Sequence, residues 1–324
     1  MFENRLRYEL GQTPAEASEW SAQMYANFSR VAVLNPVARN PVQRSVTEIA
    51  TVGPDNRMVC GPYPLAMNAM PHVDQAAAVI VTSLATAREY DVARPVYVWG
   101  GAGADESAGF LHRDGFGSSA AMASAFGRTL DSAEVGAAQL SFVDVYSCFP
   151  VVPELACLQL GLPREASLSV TGGHSAFGGP MNTYTLFSVV AVAQRLREGG
   201  GLALVHGNGG FVSYQHAVLL SAQSHPHGYV GEPDPVAITP VAPPVLVPAT
   251  DGLVTVEAAT VEHDRDGAPA TGFLIGRTLG GSRIAVQTAD AASARVLSLQ
   301  NGEIVGRTVS LTTDGARVRV TRQE

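Results

Sequence analysis

No lysine occurs anywhere in the 324 residues; all 21 basic side chains are arginine. That absence excludes chemistry built on a lysine amine: Schiff-base aldolases, pyridoxal enzymes, Walker A phosphate loops and protein kinases. Charge is scarce at 15%, and the acidic excess of 29 over 21 gives a net charge of −8. An acidic chain carries no footprint for a phosphate backbone, so nucleic acid is excluded as a partner. The three cysteines, Cys60, Cys148 and Cys157, are too few for a disulfide framework, which points to a reducing compartment. The first ten residues, MFENRLRYEL, interrupt any signal-peptide core with charge, and no apolar run approaches the ~18–20 residues of a membrane span. A soluble cytoplasmic protein is the expectation.

What the chain does have is apolar content of 46%, with 33 glycines and 20 prolines, enough for a large core. Residues 16–35 (EASEWSAQMYANFSRVAVLN) predict an amphipathic helix ended by NPVARNP. AAAVIVTS, near 76–83, predicts a strand buried on both faces, followed by a helix at LATAREY and a strand at PVYVWGG. From 117 to 222 the alternation repeats. SSAAMASAFGRTL predicts a helix, LSFVDVYS a strand, PVVPELACLQLG a helix and NTYTLFSVVAVAQRLRE a buried helix, before a hairpin turning at Asn208-Gly209-Gly210. Residues 223–250 read as a proline-rich linker. The segments beyond it, ARVLSLQ among them, predict five or six short strands in a small antiparallel OB-like β-barrel.

Chemistry concentrates at three corners. In VDVYSCFP a strand delivers Tyr146 and Cys148 to its C-terminal end just where a helix begins. The unpaired amides of that first turn are expected to favour the Cys148 thiolate, making Cys148 an acid/base thiol and Tyr146 a phenol donor. TGGHSAFGGPMN (171–182) sets Gly178 and Gly179 before another helix, where backbone amides suit an anion or acyl oxyanion. Phe177 stands where a nucleophile elbow needs glycine, so Ser175 is not read as a nucleophile, and His174 is read as a loop histidine. HGNGG (206–210) adds His206 and the donors of Asn208, Gly209 and Gly210, although Asn-Gly is also an ordinary hairpin turn. SHPHG (224–228) lacks further ligands at metal spacing, and no dinucleotide fingerprint follows any strand; no metal is expected. Cys157 is read as core.

In this order, LAMNAMPHVDQAAAVIVTSLATAREY, VDVYSCFP, SVTGGHSAFGGP and LALVHGNGGF resemble the thiolase superfamily, especially sterol-carrier-type thiolases and actinobacterial thiolase-like proteins with an extra C-terminal domain. The resemblance covers residues 1 to 222. It implies an α/β, thiolase-like layered fold, partial and mainly the C-terminal core half. The implied segments are a cap-like region at 1–60, the close of a first core half at 61–112, a C-terminal core half at 113–222, the linker at 223–250 and the OB-like domain at 251–324. Cys148 matches the cysteine of the H-D-C-F strand end, a proton-transferring thiol. Tyr146 stands in place of the Asn or His that orders an oxyanion-hole water, Gly179 in place of the G-H-P histidine, and His206 in place of the second cysteine.

The implied activity is acyl transfer of the acetyl-CoA acetyltransferase type in lipid and acyl-CoA metabolism. Coenzyme A thioester would be the substrate, with no tightly bound cofactor. Because Cys60 is followed by Gly61-Pro62 rather than a helix, neither the acylated cysteine nor its histidine is present by motif. The chain is therefore expected to be incomplete or partner-dependent, forming a homo-oligomer or pairing with another thiolase-like chain, and not competent alone. Two alternatives share this resemblance: a thiolase-like retro-aldolase subunit acting on CoA thioesters, and a non-catalytic acyl-CoA-binding scaffold.

Overall fold

The computed structural model describes residues 1–106 and 109–322. Its elements, in chain order, begin with α1 (Phe2–Glu9), α2 (Pro14–Val33), α3 (Val46–Ala50), β1 (Met58–Cys60), β2 (Tyr63–Pro64), α4 (Leu84–Glu89) and β3 (Tyr97–Asp105). There follow α5 (Ala120–Ser132), β4 (Phe142–Asp144), α6 (Val151–Gln159), α7 (Tyr184–Gly199), β5 (Leu202–Gly209), β6 (Tyr214–Ser221) and β7 (Glu232–Ala237). The last are β8 (Gly252–His263), β9 (Pro269–Thr278), β10 (Arg283–Gln287), α8 (Ala291–Leu297), β11 (Thr308–Asp314) and β12 (Arg317–Arg322). Among the described residues no helix is long and apolar enough to cross a membrane.

The α2 helix starts where its sequence says it should. Thr13 and Glu16 form a reciprocal capping box, and Pro14 occupies the first turn. Its buried face, including Trp20, Met24, Tyr25 and Phe28, joins the main core with Phe126 of α5, Leu155 of α6 and the strand residues Val143 and Leu204. A mixed sheet ordered β4–β5–β6–β3–β7 lies between layers. On one face it meets that core; on the other, Val192 and Leu196 of α7 pack on Ala203, Val205 and Leu220. The pleat enforces this division: along β5, Leu202 and Leu204 face one side, Ala203 and Val205 the other. Within the proline-rich stretch, β7 pairs in parallel with β3 as an edge strand, a place where proline is tolerated.

The C-terminal unit is built, as expected, on short antiparallel strands. β8 pairs antiparallel with β9 and β11, β9 with β10, and β11 with β12. A single parallel bridge from Thr288 to Val318 brings the end of β10 to β12. ARVLSLQ, expected as a strand, is instead mostly helix α8 and a following 3-10 turn. The Asp290 carboxylate caps that helix by accepting from Ser293 N–H at 2.7 Å, and the alanine-rich start favours it. Buried Arg283 fixes this unit to the rest. It pairs with Glu257 at 2.6 Å and donates to the Leu111 and Arg113 carbonyls at 2.6 Å each.

AAAVIVTS is not a strand. Among the described residues it pairs with no neighbour, and Ile80 and Val81 are 95% and 80% exposed. The reason is relational: a strand needs a partner to take its amides and carbonyls, and none lies alongside.

Candidate functional site

Past β4 the chain stays extended through Tyr146, and side chains continue to alternate. Val143 and Val145 enter the main core, whereas Asp144 and Tyr146 face α7. Asp144 is fully buried and acts as a clasp. Its Oδ2 accepts from Ser169 Oγ at 3.1 Å, Val170 N–H at 2.6 Å, and Thr171 N–H and Oγ1 at 2.9 and 3.1 Å. Ser188 Oγ donates to Oδ1 at 2.7 Å. Burial pushes the carboxyl upward even so, with these donors opposing it. The clasp ties the glycine loop to the strand end. Gly172 and Gly173 N–H donate to Ser169 Oγ, and a Cβ on Gly172 (φ +115°) would come within 2.6 Å of Ala32 Cβ.

The loop then makes a π-helical turn, Gly173–Phe177, which sets His174 behind the strand end. Ser147 N–H donates to His174 Nδ1 at 3.1 Å, and His174 N–H returns a bond to Ser147 Oγ at 3.1 Å. The imidazole stacks on Tyr184 at 3.6 Å and meets the Tyr146 ring at 4.2 Å. Tyr146 Oη donates to the Met181 carbonyl at 3.1 Å. Burial holds the His174 ring neutral, pulling its pKa down to about 3. Burial also pushes Tyr146 up to about 12, with the neighbouring Cys148 adding to the effect.

Cys148 reverses an expectation. The start of α6 was expected to favour its thiolate; burial instead pushes the thiol up to about 12, with only weaker help to the anion from the Phe149 amide and its own. A packed sulfur gives up more hydration than two backbone donors restore. At neutral pH this corner therefore presents a thiol, a phenol and a neutral imidazole.

Tyr146, Ser147 and Gly179 surround His174, whereas Cys148, two residues along the chain from Tyr146, packs against the main core and Gly178 faces Gln75 and Val73. Gly179 is not an oxyanion donor here, because its N–H is already donated to the Met70 carbonyl at 2.9 Å; what it supplies is room. A Cβ at Gly179 would stand 3.0 Å from His174 Cδ2 and 3.2 Å from Ala69 Cβ. The hairpin residues do not join the corner. His206 lies on the opposite sheet face, edge-on to Phe126 at 5.0 Å. Its Nε2 is 2.7 Å from Gln215 Oε1, while Gln215 Nε2 donates to Asn208 Oδ1 at 2.7 Å. Burial lowers His206 to about 4, and Gly209 and Gly210 follow Asn208 away into the turn. Alternation decides this outcome: His206 is even-numbered on β5, and even positions there face α5. A small cleft of about 60 Å³, lined by Tyr25, Ser29, Asn68, Met70, Ser175 and Ala176, reaches the π-helical turn. Cys157 is core, as expected. Among the described residues no cluster of His, Cys, Asp or Glu is arranged to hold a metal ion, and His225 of SHPHG packs on Trp99.

Sequence reasoning missed Asp144, Ser147 and Tyr184 and undervalued His174. A charged residue inside an apolar strand was the available signal for Asp144.

Residues 233–316 match the family model for the thiolase-like protein type 1 additional C-terminal domain. The whole chain superposes on 72% of a monomeric SCP2-thiolase-like protein type 1 from Mycobacterium smegmatis, at 29% identity and a TM-score of 0.84. The chain has a thiolase-like fold over its whole length. More distant likenesses support the fold alone. The Ltp2-ChsH2(DUF35) aldolase matches 69% of this thiolase-like chain and 62% of its own, at 18% identity and a TM-score of 0.51. Human mitochondrial 3-ketoacyl-CoA thiolase matches 69% and 59%, at 15% and 0.51. No curated protein matches the sequence.

Proposed function

We propose that this thiolase-like chain makes or breaks a carbon–carbon bond on a coenzyme A thioester, as the proton-handling part of an acyltransferase in cytoplasmic acyl-CoA metabolism. The observation that carries this reading is the corner itself: Tyr146 and neutral His174 packed together beside a glycine at position 179, with Cys148 two residues along the chain from Tyr146. Tyr146 Oη would donate to the thioester oxygen as negative charge develops there, and the Cys148 thiol would deliver a proton to the α-carbon. The acyl group itself would be carried by a nucleophile on a partner chain. The bare run at 76–83 supports such a partner, since a docked strand would cover it.

The protonated state of Cys148 favours a second reading, retro-aldol cleavage. That reaction breaks the Cα–Cβ bond of a β-hydroxy thioester after the hydroxyl proton is removed. It then returns a proton to the enolate carbon, without any acylated residue. Turnover of acetoacetyl-CoA with free CoA, by this chain with its thiolase-like partner, tests the proposal. Cys148→Ala should cost ~100-fold or more, the usual worth of a positioned acid or base. Unchanged turnover removes Cys148 from the chemistry. An acyl-enzyme on the partner supports transfer, whereas cleavage of a β-hydroxyacyl-CoA to acetyl-CoA and a free aldehyde or ketone, with no acyl-enzyme formed, supports the aldolase.

A further inference from the structure

The two ring nitrogens of His174 have different fates. Nδ1 accepts the Ser147 backbone N–H at 3.1 Å, with Ser147 Oγ 3.2 Å away. A nitrogen that accepts a backbone N–H bears no proton, so the neutral ring carries its proton on Nε2. Nε2 is buried and has no hydrogen-bond partner. An orphaned buried donor is rare and unfavourable, and it survives where the surrounding structure fixes it. Here the fixing is explicit. Tyr184 stacks on one side at 3.6 Å, the Ser147 bonds hold the far edge, and Asp144 clasps the loop that carries the ring.

The free edge is closely packed. The Gly179 position faces Cδ2, the carbon bonded to Nε2, and a Cβ there would stand 3.0 Å from the ring, so glycine is what lets the imidazole sit there. Tyr146, half-exposed and tethered to the Met181 carbonyl, covers the ring at 4.2 Å and is the neighbour able to turn aside.

We propose that His174 is a substrate-binding residue of this site, its Nε2–H donating to the carbonyl oxygen of the reacting thioester beside the Tyr146 hydroxyl. This rests on the thiolase-like reading of the corner given above and names how the corner holds its substrate. A neutral imidazole in this role stabilises developing charge without transferring its proton, and its fixed orientation needs no reorganisation as the reaction proceeds. Because burial keeps the ring unprotonated down to about pH 3, the donor is the same across the physiological range.

Two measurements test the assignment. Nitrogen-15 NMR of the ligand-free protein should show His174 as the Nε2–H tautomer, unchanged between pH 5 and 8. Titration with an oxygen-for-sulfur analogue of acetyl-CoA should then move the Nε2–H resonance. His174→Phe should bind this probe ~5–10-fold more weakly than wild type, the worth of one hydrogen bond, and His174→Gln, which keeps an N–H donor, should recover part of that. An Nδ1–H tautomer, a ring titrating near pH 6.5, or an unmoved resonance in the saturated complex overturns the role of His174 while leaving the thioester reading in place. Failure of wild type to bind the probe overturns both. The NMR arm holds even where His174→Phe fails to fold.

Discussion

Two runs of this chain both predict strands and end in opposite surroundings. LALVHGNG forms β5, paired with β4 on one side and β6 on the other, and Leu204 is fully buried. AAAVIVTS, at 76–83, lies unpaired with Ile80 and Val81 in solvent. Composition gives both runs strand propensity; only one has neighbours. The comparison teaches that a strand is a relation between segments: apolar residues form one only where a neighbour takes their backbone amides and carbonyls.

The sharpest way to break this comparison is a charge in each run. Leu204→Asp buries an unpaired carboxylate in a central strand and should abolish folding, a loss beyond ~4 kcal/mol by denaturant titration. A variant that melts like wild type would mean β5 is not the core. Next in size is Asp144→Asn, which weakens the charged acceptor of the glycine-loop clasp and should cost ~1.5–3 kcal/mol. Its urea midpoint should fall, and amide exchange should quicken first at Thr171–Gly173.

Smaller again is a pH effect. Burial holds His206 neutral to about pH 4, whereas the unfolded chain protonates it near 6.5. The unfolded state therefore binds more protons across that window, and this residue's contribution to stability falls as pH drops from 6.5 to 4. Asp144, raised by burial, pulls the opposite way, so the informative quantity is a difference. His206→Gln should lose less melting temperature than wild type between pH 7 and 4.5. Equal losses would place His206 in a wetter setting than the Phe126 contact implies. The smallest effect belongs to the bare run: Ile80→Asp should alter stability within ~0.5 kcal/mol while reducing self-association in sedimentation. A cooperative loss of structure would show that 76–83 is already partnered.

Much of the fold was legible because the period of apolar residues sets each element. The capping box at Thr13 and Glu16, the hairpin turn after Asn208 and the short C-terminal strands all carry local signals. What failed was non-local. The sequence of 76–83 cannot say whether a neighbour is present, and ARVLSLQ (294–300) reads as a strand whereas the Asp290 cap upstream starts a helix that runs into it. At the site, the segments VDVYSCFP and TGGHSAFGGPMN do meet, through Tyr146 and Ser147 on one side and His174 on the other. Thiol protonation there depends on packing density, which no motif encodes. The placing of His206 was recoverable from alternation along β5, whereas the tautomer of His174 depends on a bond from Ser147, twenty-seven residues away.

The most direct measurement is a crystal structure of the protein bound to the oxygen-for-sulfur acetyl-CoA analogue. The account predicts the acyl carbonyl oxygen within hydrogen-bond distance of Tyr146 Oη, beside Gly179, with the acyl carbon facing Cys148 Sγ. An acyl group seated on the other sheet face by His206, or in the cavity lined by Thr185, Gly207 and His216, would contradict it.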